Sequence, residues 1–171
     1  ELADKKKALT LSDQARIVFK WFLDPIAAFF NRLGIMPNTM TILGLVGNAI
    51  GAFFLMQGDF LFGGLIILVM GLVDTLDGTM ARLRGESSDF GAFVDSVTDR
   101  YSELVIFCGL LFYYISQVDW LAIALVYLSA AGSILVSYVR ACAQSVGMET
   151  KVGLLTRLER YLVLVPALVF N

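Results

Sequence analysis

The chain alternates between apolar runs near twenty residues long and short polar breaks. A helix needs about 20 apolar residues to cross a hydrocarbon core about 30 Å thick, so the pattern predicts membrane-spanning helices. Four such runs lie at 40–57, 60–82, 90–116 and 120–143, and Pro37 and Asn38 supply start signals for the first. A fifth run begins near Tyr161 and ends at Asn171, about half the length a crossing needs. The transmembrane domain is therefore expected to be C-terminally incomplete in this sequence. Ahead of the spans, Val18, Phe19, Trp21, Phe22, Ile26, Phe29 and Phe30 alternate with Arg16, Lys20, Asp24 and Arg32. That stretch is too polar to span and predicts an amphipathic helix at the membrane surface, kinked or interrupted at Pro25. Lys5–Lys7 lead into a polar stretch and not an apolar core, so the N-terminus is expected to be a tail rather than a signal peptide. The expected organisation is all-α: a tail at 1–11, a juxtamembrane helix at 12–36 and a transmembrane domain at 37–171.

Composition agrees. Of 171 residues, 58% are hydrophobic and 16% charged, against about 25% charged in soluble domains. The chain has no histidine, which excludes histidine bases, histidine metal ligands and phosphohistidine chemistry. Cys108 and Cys142 sit in apolar runs without metal-site spacing and read as buried thiols. The net charge of −2 matters less than its distribution. The breaks at 57–59 and 116–119 carry no Lys or Arg. The basic residues lie in the N-terminal region and at Arg82, Arg84, Arg100, Arg140, Lys151, Arg157 and Arg160. The positive-inside rule makes their side cytosolic.

Polar residues that interrupt the apolar pattern point to chemistry. Asp74, Asp77, Gly78 and Ala81 fall at i, i+3, i+4 and i+7, and Gly91, Asp95 and Asp99 at i, i+4 and i+8. Each set forms one helical face. From Phe60 to Asp77, and from Asp99 to Ser116, is about 25 Å of helix. In an antiparallel pair the four carboxylates then meet at one level, and the short loop at 83–90 is expected to force the two helices together. Each carboxylate costs roughly 2.5–3.5 kcal/mol at a membrane helix centre, and like charges repel. A hard divalent cation such as Mg²⁺, Mn²⁺ or Ca²⁺ is the natural compensation, and a pair of them is the phosphoryl-transfer arrangement. Gly78, Ala81 and Gly91 leave room for a ligand or permit close helix packing. Arg82 offers donors to phosphate or serves as a cytosolic anchor.

These residues spell D-x2-D-G-x2-A-R-x8-G-x3-D-x3-D over Asp74 to Asp99. The pattern resembles the signature of the CDP-alcohol phosphatidyltransferases, with similarity extending from about Asp24 to Asn171. The resemblance implies a six-helix transmembrane bundle, usually a homodimer, with an N-terminal surface helix, in a prokaryotic plasma membrane with the site facing the cytoplasm. It implies Asp74, Asp77 and Asp95 as principal ligands of two divalent ions, Mg²⁺ or Mn²⁺, with Asp99 beside them as general base and further ligand. It implies a CDP-lipid site, for CDP-diacylglycerol or a similar lipid, at Gly78, Ala81, Arg82 and Gly91. Pro37-Asn38-x2-Thr41 resembles the cytidine-contacting start of the first span.

The acceptor is read from Ser137-Tyr138-Val139-Arg140 and Arg157-x-Glu159-Arg160. These resemble the phosphatidylinositol-phosphate synthase branch, in which Ser137, Arg140, Arg157 and Arg160 would hold inositol phosphate, although Cys142 and Gln144 depart from it. Glycerol 3-phosphate is the alternative acceptor, and cytosolic anchoring the plainer role for the arginines. Glu103, one turn beyond Asp99, is expected to pair with Arg100 or to touch the acceptor. A cation transporter or channel is the rival of another class. No nucleic-acid partner is expected.

Overall fold

The computed structural model describes residues 11–86, 88–148 and 157–169, with side chains from residue 22 onward except 87 and 149–162. Residues 1–10 of the expected tail lie outside the described residues. Among the described residues six helices run in order: α1 Leu11–Arg32, α2 Pro37–Met56, α3 Phe60–Arg84, α4 Asp89–Ser116, α5 Trp120–Ser145 and α6 Arg157–Val169. Three of them, α2, α3 and α5, are long and apolar enough to cross a membrane. The fourth expected span, α4, is longer still at 28 residues. It carries Asp95, Asp99, Arg100 and Glu103 in one stretch, so functional groups dilute its apolar character. The chain is an integral membrane protein.

The helices pack unlike a simple hairpin series. α2 lies against both α3 and α4, α1 and α6 lie on α3, and α5 lies on α4. Among the described residues α3 and α4 make no extended contact, so the loop between them does not press them together. The expectation of a packed α3–α4 pair is thus corrected. The reason is the small-residue face of α2. A Cβ on Gly51 would stand 2.9 Å from Ile67 Cγ1, and one on Gly109 of α4 would stand 2.4 Å from the Ala52 carbonyl oxygen. These glycines let α3 and α4 both reach the α2 backbone, and α2 becomes the wedge between them.

Two apolar clusters bracket the bundle. At the end away from the aspartates, Leu55, Ile67, Ile106 and Leu110 meet Val165 and Leu168 of α6. At the other end, Leu23 and Ala27 of α1 pack on Met40, Leu76 and Met80. Thr41, Asn48, Asp77, Ser102, Glu103 and Ser133 add buried polar groups. Asn48 Oδ1 has no hydrogen-bond partner among the described residues.

Other expectations are adjusted. α1 continues through Pro25 without a break in the helix. Cys108 and Cys142 are exposed and not buried, because they lie on outer helix faces that a membrane covers instead of protein. Arg84 clasps α1 to the end of α3, donating to Asn31 Oδ1 at 2.7 Å and to the Ile35 carbonyl at 2.7 Å.

Candidate active site

The site forms where α3 ends and α4 begins. Gly85 takes a left-handed conformation (φ 68°), and the Gly85 and Glu86 N–H groups bond back to Arg82 and Ala81 carbonyls. A residue with a side chain is disfavoured there. Ser88 then caps α4, its Oγ accepting from the Gly91 N–H at 3.0 Å. A Cβ on Gly91 would stand 3.3 Å from that oxygen. The signature glycine therefore protects a helix cap, a local duty its spacing alone did not reveal.

Asp74, Asp95 and Asp99 each present a carboxylate oxygen, all within 4.8 Å of one another, and each residue is half-buried. They meet across the opening that α2 props between α3 and α4. Asp77 turns toward α2 instead. It is 5% exposed, and its Oδ2 accepts from Thr41 Oγ1 at 2.7 Å while its Oδ1 accepts from the Gly78 N–H. Asp74 and Asp95 remain within electrostatic range of it. Of the four aspartates, the compact trio thus contains Asp99, with Asp77 adjoining and braced from the start of α2.

The donor set fits a divalent metal. Clustered carboxylates repel unless a cation or protons intervene, and hard oxygen donors match Mg²⁺ or Mn²⁺. Asp74, Asp95 and Asp99 are placed to hold one such ion. The residues expected at the nucleotide lie at the start of α2, the end of α3 and the start of α4. Thr41 touches Asp77 directly, while Pro37 is half-buried and Asn38 exposed at the same helix start. Ala81 is half-buried. Arg82 is exposed, and its Nη2 donates to Thr79 Oγ1 at 2.9 Å. A Cβ on Gly78 would meet only Arg82 Nη1, at 3.7 Å. Gly78 therefore faces open space and is not a helix-packing glycine.

A cleft of about 230 Å³ opens between α4 and α5, lined by Ser96, Asp99, Arg100, Glu103, Val136, Ser137 and Arg140. Pockets for drug-sized ligands run from about 300 to 1,000 Å³, so this one suits a small polar molecule. It brings Ser137 and Arg140 to Asp99. The side chains of Arg157 and Arg160, in the first turn of α6, lie outside those described. Arg100 and Glu103, expected to pair with each other unless Glu103 meets the acceptor, each have another neighbour. Arg100 Nη1 donates to the Ser96 carbonyl at 2.7 Å and lies 3.5 Å from Asp99 Oδ2, while Glu103 accepts a hydrogen bond from Ser133 Oγ of α5. Sequence reasoning missed Ser96 and Arg100 as cleft residues and Ser133 as the partner of Glu103. The stripe Ser133-x3-Ser137-x2-Arg140, one face of α5, was the available signal.

Residues 34–170 match the CDP-alcohol phosphatidyltransferase family, and the chain belongs to it. Members of this enzyme family transfer a phosphatidyl-type group from a CDP-activated lipid, and that is the class of reaction here. The Streptomyces avermitilis phosphatidylinositol phosphate synthase is 38% identical over 157 residues, covering 90% of this chain and 64% of that protein. A crystal structure of the Mycobacterium tuberculosis phosphatidylinositol phosphate synthase with CDP-DAG bound superposes with a TM-score of 0.80 at 32% identity, covering 86% of this chain and 75% of that one. The same mycobacterial protein in complex with manganese and citrate gives a TM-score of 0.79 at 32% identity, covering 86% and 71%. Family membership removes the transporter alternative.

Proposed function

We propose that this protein transfers the phosphatidyl group of CDP-diacylglycerol to inositol phosphate and releases CMP. The observation that carries the acceptor assignment is the arginine-lined cleft that reaches Asp99. Two guanidinium groups at a small cleft favour an anionic alcohol over a neutral one, and two named relatives are phosphatidylinositol phosphate synthases.

On this reading Asp74, Asp77, Asp95 and Asp99 hold two divalent ions, Mg²⁺ or Mn²⁺. When bound, the ions neutralise and orient the diphosphate of the donor. Pro37, Asn38, Thr41, Gly78, Ala81, Arg82 and Gly91 form the CDP-lipid side. Ser137 and Arg140, joined by Arg157 and Arg160, hold the acceptor phosphate. Asp99 accepts the proton of the acceptor hydroxyl as that oxygen bonds to the lipid-side phosphorus. The bond from phosphorus to the CMP oxygen breaks, and its electron pair leaves with CMP. Residues 37–171 carry this transferase domain and residues 12–36 its surface helix. The protein works as a homodimer in a prokaryotic plasma membrane, with the site facing the cytoplasm.

The test is CMP release by purified protein with CDP-diacylglycerol and Mg²⁺, comparing inositol phosphate, glycerol 3-phosphate, serine and no acceptor. Release stimulated by inositol phosphate supports the assignment. Stimulation by glycerol 3-phosphate alone replaces it with a glycerophosphate acceptor.

A further inference from the structure

We infer that Glu103, held in place by Ser133, reads the hydroxyl groups of a polyol acceptor at the floor of the α4–α5 cleft. The inference rests on the acceptor reading above and adds a specificity residue to it. α4 and α5 are antiparallel, and the Ser133–Glu103 hydrogen bond fixes their register. Equal helical rise then sets Asp99 level with Ser137, and Ser96 level with Arg140. All of these except Ser133 line the one cleft.

The cleft is therefore graded along its depth. Ser96 and Arg140 stand at its mouth, Asp99 and Arg100 lie between, and Glu103 lies deepest, about 10 Å along α4 from Ser96. Glu103 is 7% exposed and Ser133 5%, so the floor is built from buried groups. A carboxylate only accepts hydrogen bonds, so a deep Glu103 selects a ligand that brings hydroxyl donors. Cationic groups nearer the mouth select an anion. A molecule satisfying both ends carries a phosphate at one side and several hydroxyls at the other, with one hydroxyl beside Asp99. That is the chemistry of a cyclic polyol phosphate. A short triol phosphate places fewer hydroxyls at the floor.

Serine–carboxylate hydrogen bonds also serve simply to join membrane helices, and the experiment separates the two roles. The full chain in detergent is assayed for CMP release with CDP-diacylglycerol and Mg²⁺, with inositol phosphate and glycerol 3-phosphate in parallel arms. Wild type is compared with Glu103→Gln, Ser133→Ala and Ser133→Thr. For the acceptor that turns over, its KM is expected to rise about tenfold or more in Glu103→Gln, the scale of one charge-assisted hydrogen bond. Ser133→Ala is expected to shift it in the same direction and to lower Tm, because buried Glu103 loses a donor, and Ser133→Thr to restore both, with the KM for CDP-diacylglycerol unchanged. Should Glu103→Gln not fold, the two serine variants decide the matter. An unchanged acceptor KM, or equal shifts in both substrates, overturns the inference and leaves a helix-joining pair. A wild-type chain inactive with either acceptor fails one step earlier and removes the acceptor reading as well.

Discussion

The two halves of the bundle use glycine in opposite ways. In the half away from the aspartates, glycines are filled by their neighbours. A Cβ on Gly63 would stand 2.9 Å from the Gly51 carbonyl oxygen, and one on Gly109 would stand 2.4 Å from that of Ala52. In the half with the aspartates, Gly78 meets nothing but the tip of Arg82, and Gly91 nothing but the serine that caps its helix. One half spends its small residues on backbone contact, while in the other Gly78 leaves room for a ligand and Gly91 protects a helix cap. The lesson is that a glycine in a membrane helix has no fixed meaning, and what a methyl group there would strike decides it.

The sharpest test of this division is Asp99→Asn. CMP release should fall by about 10²–10⁴-fold, the usual contribution of a general base. Tm in detergent should hold or rise, since a like charge leaves the carboxylate trio. A large loss of Tm would show that the two halves are not separable.

Paired glycine substitutions address the comparison directly. Gly109→Ala should cost about 1–3 kcal/mol of stability through overpacking against the α2 backbone, seen as a lower Tm. Gly78→Ala should leave Tm unchanged or raised, because alanine favours helix by about 1 kcal/mol over glycine, yet raise the KM for CDP-diacylglycerol. Equal Tm losses in both variants would break the distinction.

Thr41→Val tests the boundary between the halves. It removes the donor to buried Asp77, and an acceptor left unsatisfied there costs about 1–3 kcal/mol. Both Tm and donor affinity should fall, unlike either glycine variant.

The smallest effect is expected at the turns far from the site. Gly58 and Val118 occupy equivalent places, each after a glutamine that ends its helix and before an aspartate, with φ of 86° and 57°. A left-handed valine is strained by roughly 1–2 kcal/mol, partly offset in any glycine variant by about 0.5–1 kcal/mol of backbone entropy. Val118→Gly should therefore raise Tm slightly, and Gly58→Val should lower it.

Much of this was legible in the sequence because helical periodicity is a local property. The spacing of Asp74 and Asp77, and of Asp95 and Asp99, placed each pair on one face, and the helix limits fell within a few residues of those observed. What escaped depends on a third element. That α2 would stand between α3 and α4 follows from which glycines meet which backbone, and no single run encodes it. For the same reason Asp77 was grouped evenly with the others, since Thr41, its partner, lies 36 positions away. Glu103 was expected to pair with Arg100 or to touch the acceptor, and Ser133 announces itself as its partner only once α5 is laid against α4.

The clasp from Arg84 to Asn31 and Ile35 has a kinetic consequence. It ties the last turn of α3, and so the height of the aspartates, to a helix suited to riding at the lipid–water boundary. A donor anchored by its acyl chains then arrives by lateral diffusion within a plane, while the acceptor arrives from bulk water. Turnover should scale with the mole fraction of donor in the micelle or leaflet, not with its molar concentration. Diluting the donor with inert detergent at constant total donor should slow the reaction as inhibition would, although no inhibitor is present.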